Sequence, residues 1–535
     1  MFSVDSIADR PFSVYSGKGR SLFIYGNTAQ LKLRRFVKIL RPDFIAVSCA
    51  GSGRAAADFT VIQQVLPQNH ASSVRKIYAQ IALVQLCGIA IKTFEGEKEL
   101  HKQGALREFG HYAAMNILGM IGISCYILAD TYFVAQGLGS LGLAALNIAI
   151  PAYNLMNGIG LMLGVGAATQ YTIARAQNDR RQADSVFTHA AALGLLLGLL
   201  FLLGGLCFAK PLAGLLGADA QTLGMTTTYL RMLWCFGPFF VMNNVLLAFT
   251  RNDGAPTVAM CGMIAGSLFN IVFDYIFIFP CGLGMFGAAL ATGFSPFVSI
   301  LVLLTHLRRP SRGFHLVKTP LRVSRVSSLC APGLSSLIGE IASGVVLLLF
   351  NLVLLRLSGN TGVAAYGVVA NLALVGIAVF TGLCTGIQPL VSRSSGLGDR
   401  EQLRRLFRWG ICTALGIAAV LCVSVFLGAE PLTAVFNSEH DPQLAAYAEN
   451  GLRIYFTGFL FAGVNMVTAA FFSASDKTVQ GFVLSLLRGV IAVPPILFPL
   501  AWALGVDGVW LTFPMVELVT AVAALVWARK YIIEN

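Results

Sequence analysis

From residue 107 onward, the chain alternates long apolar stretches with short polar segments. Most of the stretches reach the roughly 20 residues that an α-helix needs to cross the hydrocarbon core of a bilayer. The pattern predicts an all-α polytopic membrane protein with twelve transmembrane helices. The predicted spans are about 109–136, 143–170, 186–209, 222–250, 256–279, 284–305, 326–356, 363–390, 404–427, 443–473, 477–503 and 506–530.

Positive charge is distributed unevenly between the polar segments that separate these spans. Loops on one side hold 18 Lys and Arg residues, and loops on the other side hold two. Cytoplasmic loops of membrane proteins carry an excess of Lys and Arg. The asymmetry therefore places both ends of the twelve-span unit in the cytoplasm, and we expect a bacterial inner-membrane location. It also supports an even number of spans, because one missing span would scramble it.

The two halves of this unit resemble each other at an offset of about 220 residues. Leu141–Leu146 (LGLAAL) matches Thr361–Tyr366 (TGVAAY), and Met285–Thr292 matches Val506–Phe513. Six spans is an even number, so both halves enter the membrane from the same side. The halves are then parallel repeats, an arrangement found in transporters that rock two lobes about a central cleft.

These observations predict four parts. They are an N-terminal extension at 1–105, an N-terminal six-helix lobe at 106–305, a basic cytoplasmic linker at 306–325 and a C-terminal six-helix lobe at 326–530. The best apolar stretch of the extension, Ile77–Ile91, has only fifteen residues and is short for a span. The extension is therefore expected to be disordered or to result from a mis-annotated start. An interfacial helix and a separate functional domain remain alternatives.

Composition narrows the functional class. Hydrophobic residues make up 56% of the chain and charged residues 12%, whereas soluble domains carry about 25% charged residues. The net charge of +13 is divided into +7 in residues 1–105 and +6 in the remainder, so it does not form one nucleic-acid-binding patch. The eleven Cys include no CxxC pair, and no P-loop motif is present. We expect no enzyme, no ATP-driven pump and no cofactor.

Charged residues inside membrane spans are costly and point to function. Asp130, Asp274 and Thr292 lie at similar depths, roughly 9–12 Å below the outer surface at 1.5 Å per helical residue. Asn270 is one turn from Asp274 on the same helix face. Such oxygen ligands suit Na⁺, or the two carboxyl groups can share a proton. Alternatively, each Asp only hydrogen-bonds a neighbouring helix.

The C-terminal half lacks this set, since Asn351, Ile491 and Pro495 stand at the equivalent positions. Glu340, in the middle of span 7, is the acid of this half that is most costly to expose to lipid. It is a candidate to bind a cationic substrate or a second ion. Glu517 in span 12 is a weaker candidate.

Three intramembrane Arg residues and a set of apolar residues complete the candidates. Arg231 and Arg453 are near the outer interface, where snorkelling explains them, and Arg488 is a candidate to pair with an acid across the cleft. Four residues suit lipophilic cations through cation–π or apolar contact, although packing is the alternative for each. These are Tyr153, Met156, Phe350 and Tyr366.

Several spaced motifs agree with one known family. They are Asp130–Val134 (DTYFV), the LGLAAL segment, Thr250–Met260 (TRNDGAPTVAM), Asn270–Phe277 (NIVFDYIF) and Gly287–Thr292 (GAALAT). Over about residues 106–530, the chain resembles the multidrug and toxic compound extrusion (MATE) family, in its DinF-like, multidrug-efflux branch.

The resemblance implies twelve helices in two lobes and a cation site in the first lobe. The positions that match the family motif are Asp130, Asn270, Asp274 and Thr292, with Asn244 nearby on helix 4. In another branch the ion site uses a Glu on helix 7, which Glu340 resembles, and an Asp on helix 10, which has no convincing match here.

The expected function is secondary antiport: a monomer that exports drugs or organic cations across the membrane in exchange for Na⁺ or H⁺. The sequence leaves the choice of ion open. A lipid-precursor flippase is the main alternative, but it needs a cleft rich in Arg and Lys. A non-transporting scaffold would give no reason for buried carboxylates.

Overall fold

The computed structural model describes residues 12–15, 21–24, 104–310, 312–320, 322, 324–436, 441–475 and 477–533. The chain forms two compact units, Met1–Val84 and Gln85–Asn535. In the first unit, strands β1 (Phe12–Tyr15) and β2 (Ser21–Ile24) pair antiparallel. The rest of the predicted extension, including Ile77–Ile91, lies outside the described residues.

The second unit begins with six helical spans, which we call the N lobe. One of them, α4, consists of two segments that meet at a bend. The N-lobe helices are α1 (Ala105–Gly139), α2 (Leu141–Ala176), α3 (Arg180–Leu215), α4 (Leu223–Cys235 and Gly237–Asn252), α5 (Pro256–Ile278) and α6 (Gly284–Leu307).

A short helix, Ser324–Cys330, and a 3₁₀ turn, Ala331–Gly333, lead into the second set of six spans, the C lobe. Helices α7 (334–358) and α8 (360–397) form the segment Leu334–Leu397 and are separated at Gly359. The others are α9 (Arg400–Phe436), α10 (Pro442–Thr457 and Phe459–Ala474), α11 (Thr478–Leu504, with a π turn at Leu487–Ile491) and α12 (Val506–Ala528, followed by a π turn at Arg529–Ile533).

This architecture confirms the predicted fold class. Within the described residues, nine helices are long and apolar enough to cross a membrane, and the two bent pairs bring the number to eleven. One of the nine, Ser324–Leu397, contains two spans because Gly359 breaks it. The total is the predicted twelve. The predicted span 326–356 begins too early, because Pro332 in the 3₁₀ turn separates the short helix from α7.

The backbone repeats the internal similarity of the sequence. Gly139 (φ 68°, ψ −162°) and Gly359 (φ 62°, ψ −151°) break the chain in the same way, 220 residues apart. Positive φ is readily adopted by Gly because it has no Cβ. Asn178 and Gly398 form a second equivalent pair in the left-handed region, at the turns after α2 and α8. The two lobes are therefore built by the same sequence of turns.

Each lobe has its own apolar core, while many large apolar side chains stay exposed. One stripe runs along α3, where Leu196, Leu200 and Leu203 are each 55% exposed. A continuous exposed apolar surface of this kind fits contact with lipid. The C-lobe core also includes the first turns of α1, through Phe109 and Tyr112.

The lobes meet along the half of the bundle that carries the Lys- and Arg-rich loops, which we call the basic side. Arg393 on α8 makes two 2.8 Å hydrogen bonds to the carboxylate of Glu108 on α1. Gln388 on α8 donates to the Val165 carbonyl at 3.1 Å and to the Thr169 hydroxyl at 2.9 Å on α2. These polar contacts lie between helix ends that approach closely.

Small residues allow this approach. A Cβ at Gly166 would overlap the Leu329 carbonyl, and a Cβ at Gly333 would overlap the Met162 carbonyl. At Gly382 a Cβ would lie 2.6 Å from the Ile117 Cα. Glycines permit backbone contact between membrane helices, so the closed basic side depends on them.

The opposite side of the cleft is open. On α2, Asn147, Pro151 and Leu155 are exposed, whereas Gly158, one turn further on, packs against Glu340 of the C lobe. Residues three and four apart share a helix face, so the same face of α2 passes from open space to the lobe interface. One turn before Gly158, the Asn154 amide donates to the Ser343 hydroxyl of α7 at 3.4 Å, so the floor of the cleft lies at the level of Asn154 and Gly158.

The segment between the lobes is bound to the basic side of the N lobe. Phe314 is fully buried, and the Gly313 N–H donates to Asp253 Oδ2 at 2.8 Å. The His315 N–H donates to Asp184 at 2.8 Å, and the Val317 N–H donates to the hydroxyl of Thr188 at 3.1 Å. These bonds fix the path of the linker to α7.

Replacing Gly333 with Ala should separate α2 from the start of α7, because the new methyl group has no space beside the Met162 carbonyl. We expect the free energy of unfolding to fall by about 1–3 kcal/mol, the usual cost of overpacking. Thermal unfolding in detergent measures this change. Gly339→Ala is the matched control, since a Cβ there meets open space, and an equal loss in both variants would contradict the packing argument.

Candidate functional site

The four acidic and polar residues predicted from depth are brought together inside the N lobe. Asp130 is on α1, Asn270 and Asp274 are one turn apart on α5, and Thr292 is on α6. Asn270 and Asp274 have no exposed surface, Thr292 is 4% exposed and Asp130 is 7% exposed. They form a buried polar centre, which we call the acid centre.

Contacts inside the acid centre leave most of its oxygens without a donor. The Asn270 amide donates to the Thr292 hydroxyl at 3.2 Å, and the carboxyl groups of Asp130 and Asp274 are close enough to interact with each other. Among the described residues, Asp130 Oδ1, both Asp274 carboxylate oxygens and Asn270 Oδ1 accept no hydrogen bond. Buried polar atoms are rarely left unpaired, so these oxygens call for a partner that carries positive charge.

Two chemical solutions meet that requirement. Carboxylate, amide and hydroxyl oxygens are the ligands of hard cations such as Na⁺, and the residues present fit that ion. A proton shared between the two carboxyl groups is the other solution, because two like charges in contact do not both ionise easily. The geometry is compatible with both.

Two tyrosines border the acid centre and were not among the predicted site residues. The Tyr229 hydroxyl on α4 lies close to the Thr292 side chain. Tyr126 is one turn before Asp130 on α1, and its hydroxyl lies 3.3 Å from that of Tyr153 on α2. The spacing of Tyr126 and Asp130 was a usable signal, whereas the position of Tyr229 depends on how α4 packs.

Asn244 belongs to a different polar group from the one predicted. Its amide donates to Asn157 Oδ1 at 3.1 Å and to the Phe240 carbonyl at 3.2 Å. The Asn157 side chain lies beside that of Glu340. The chain of contacts runs from α4 through α2 to α7, and it therefore links the N lobe to the acid of the C lobe at the cleft floor.

The predicted cleft residues occupy three different environments. Tyr153 is partly exposed and packs edge-on against Phe240, with ring centroids 5.8 Å apart. Met156 has no exposed surface and packs in the N-lobe core. Tyr366 is 3% exposed and stacks on Phe350 at 5.2 Å in the C-lobe core. Of these residues, only Tyr153 borders the acid centre and Glu340 in this conformation.

The remaining intramembrane charges of the C lobe form an internal pair. Arg488 on α11 donates to Glu517 Oε1 on α12, at 2.5 Å from Nη2 and 3.1 Å from Nε. The partner of Arg488 is thus inside its own lobe and not across the cleft. Arg453 lies 3.9 Å from Glu449 and is 46% exposed, which fits an interfacial residue.

The MatE family model matches residues 116–276 and 336–498. The "Multidrug export protein MepA" of Staphylococcus saprophyticus is 26% identical over 426 residues, covering 79% of this chain and 93% of that protein.

Solved structures share the fold. One, titled the outward-facing conformation of a multidrug resistance MATE family transporter, has a TM-score of 0.76 at 24% identity and covers 80% of this chain and 95% of that chain. The structure of a Pyrococcus furiosus transporter, described as having a binding pocket of reverse polarity, has a TM-score of 0.75 at 25% identity. The match covers 80% of this chain and 95% of that chain.

The family model spans corresponding helices of both lobes, from within α1 to α5 and from α7 to α11. Because it matches more than half of the chain, this protein belongs to the MatE family of membrane transporters, which are not enzymes.

Proposed function

We propose that this protein is a secondary antiporter that exports drugs or toxic organic cations in exchange for Na⁺ or H⁺. The observation that carries the coupling role is the acid centre, with its four donor-free oxygens at Asp130, Asn270 and Asp274. Multidrug export is supported by the name of the staphylococcal relative, which is similar along most of both chains. The protein works as a monomer, without a cofactor.

Alternating access follows from the shape of the cleft. The positive-inside rule assigns the basic side, and both ends of the transport unit, to the cytoplasm of the bacterial inner membrane. The cleft is closed on that side and open on the other, so this conformation faces outward. Ion binding can drive the return only through its different affinity for the two conformations. Asp130 on α1 is suited to this role, because α1 also packs into the C lobe at its basic end.

The substrate is proposed to bind at the cleft floor. Glu340 supplies negative charge there, Tyr153 supplies an aromatic face, and Asn244 positions Glu340 through Asn157. Organic cations are attracted to both an acid and an aromatic ring. Met156 and Tyr366 line the substrate path only after the lobes repack, since both are buried here.

A flippase for an anionic lipid precursor is less well supported. It requires unpaired positive charge in the cleft, but Arg488 is paired with Glu517 inside the C lobe. Arg453 is near the outer interface and close to Glu449. The charge available at the cleft floor is negative, which favours cationic substrates.

Replacing Asp274 with Asn should reduce drug resistance to the level of cells without the transporter, because a carboxamide neither binds Na⁺ as a charged ligand nor exchanges a proton. Drug susceptibility at matched protein levels measures the effect. Ser267→Ala is the control on the same helix, since the Ser267 hydroxyl bonds only to its own helix at the Met263 carbonyl. Full resistance in Asp274→Asn would refute the coupling role.

Collapsing the Na⁺ gradient and the pH gradient separately should identify the ion. We expect dye efflux from cells expressing the transporter to stop with one treatment and to continue with the other. Fluorescent cation accumulation measures efflux, and Asp274→Asn cells give the baseline. Efflux that survives both treatments would contradict secondary antiport.

Replacing Glu340 with Gln should weaken transport of cations more than transport of neutral substrates, because the carboxamide keeps the shape of the side chain but removes its charge. We expect a rise in KM for cationic dyes of roughly tenfold, equivalent to about 1.4 kcal/mol. Initial efflux rates at several dye concentrations measure it. An equal change for neutral and cationic substrates would argue against a charge role.

A further inference from the structure

The C lobe contains a buried acid of its own, on the helices that correspond to the acid centre. Glu517 is on α12, the counterpart of α6, and is 2% exposed. Asn465 on α10 is 221 residues after Asn244 and has no exposed surface. Arg488 is on α11, the counterpart of α5. The two groups thus share the α5–α6 pair and its counterpart, α11–α12, whereas the third helix is α1 in the acid centre and α10 in the C lobe.

The position of the C-lobe group is shifted along these helices. At the repeat offset of 221, Glu517 corresponds to Pro296, which is four residues after Thr292. Arg488 corresponds to Ser267, which is three residues before Asn270. Four residues are about one helical turn, so the group lies on the same helix faces, about one turn nearer the basic side.

The decisive difference between the lobes is the partner of the acid. Among the described residues, Asp130 Oδ1 and both Asp274 carboxylate oxygens accept no hydrogen bond, whereas Glu517 accepts from Arg488 through both oxygens, at 2.5–3.3 Å. The Asn465 amide also donates to Glu517 Oε2 at 2.6 Å and to the Glu517 carbonyl at 2.7 Å. Within the described residues, Asn465 Oδ1 accepts no hydrogen bond.

The local backbone brings the guanidinium to this place. Arg488 is in the π turn Leu487–Ile491, where the Ala492 N–H bonds to the Leu487 carbonyl at 2.9 Å. π turns are uncommon and occur often at functional sites. Among the described residues, Cys384 on α8 and Tyr455 on α10 are the titratable neighbours that interact with Arg488. Arg488 is thus the sole positive group that the structure shows against Glu517.

We propose that Glu517 and Asn465 form a cation-binding site in the C lobe that Arg488 occupies permanently as a tethered cation. In this arrangement the site at Glu517 cannot exchange an ion with the solution. Removing one partner of a buried ion pair leaves an uncompensated charge, which is strongly unfavourable. Without Arg488, the carboxylate of Glu517 must therefore recruit Na⁺ or a proton from solution.

A background without the other buried acids isolates this effect. The variant Asp130→Asn/Asp274→Asn/Glu340→Gln keeps the C-lobe pair and removes the charges of the acid centre and the cleft floor. Its apparent melting temperature in detergent is measured in two series. In the first, NaCl is replaced stepwise by N-methylglucamine chloride at constant ionic strength, and in the second the pH is varied. The inference does not rest on the proposed transport function, since the coupling acids are neutral in this background.

Adding Arg488→Met to that background should create a dependence that the parent lacks. We expect the melting temperature to rise by a few degrees for each tenfold increase in Na⁺, or to rise as the pH falls, because a ligand that binds the folded state stabilises it. Two controls are matched to the proposal. Arg488→Lys keeps a tethered cation, and Arg488→Met/Glu517→Gln removes the acid, so both should respond to Na⁺ and pH as the parent does.

Each outcome decides the proposal. If Arg488→Met is folded and responds to Na⁺ and pH as its parent does, or if Arg488→Met/Glu517→Gln keeps the new dependence, the proposal is wrong. If Arg488→Met is unstable in N-methylglucamine but recovers in Na⁺ or at low pH, the proposal is supported. Failure to recover in either condition, while the double replacement folds, shows a structural ion pair and overturns it.

Discussion

The constraint on which the rest depends is a pair of neighbouring buried carboxyl groups, Asp130 and Asp274, three of whose oxygens accept no hydrogen bond from the described residues. Asp130 and Asp274 belong to different helices, α1 and α5, so their repulsion or their shared ligand acts directly on how those helices pack. Charge in a low-dielectric interior is costly unless it is paired. In the antiport that we propose, a bound Na⁺ or proton relieves that cost and its loss restores it. Under that proposal, helix packing around the acid centre depends on whether the ion is bound.

The two lobes share a backbone and differ in the partners of their buried acids. The breaks at Gly139 and Gly359 have the same conformation, and both fourth helices bend, by 50° and 44°. The same scaffold holds bare acids in the N lobe and a neutralised acid at Glu517 in the C lobe. Function in this fold is therefore set by a few side chains between corresponding helices, as expected where one architecture serves different sites.

Sequence predicted what depends on hydropathy and on depth along a helix. The twelve spans follow from apolar length, and the convergence of Asp130, Asn270, Asp274 and Thr292 was predicted from a shared depth. Rotation about the helix axis and pairing between helices are set by packing that one sequence does not reveal. The family resemblance placed Asn244 near the acid centre, whereas its amide bonds to Asn157. Arg488 was expected to meet an acid across the cleft, and its pairing with Glu517 inside the C lobe was not predicted.

Helix α1 connects the acid centre to the closure of the cleft. Its first turns place Phe109 in the C-lobe core and Glu108 against Arg393, and its second half carries Asp130. A helix is stiff over such a length unless a kink intervenes, so a change in packing around Asp130 tilts or bends α1 against contacts that hold the basic side shut. The close glycine contacts at Gly166 and Gly333 tolerate little displacement, because backbone packed against backbone cannot yield gradually. Such an interface favours two discrete arrangements, closed and open, and it is the two-state element that ion binding would bias in the proposed antiport.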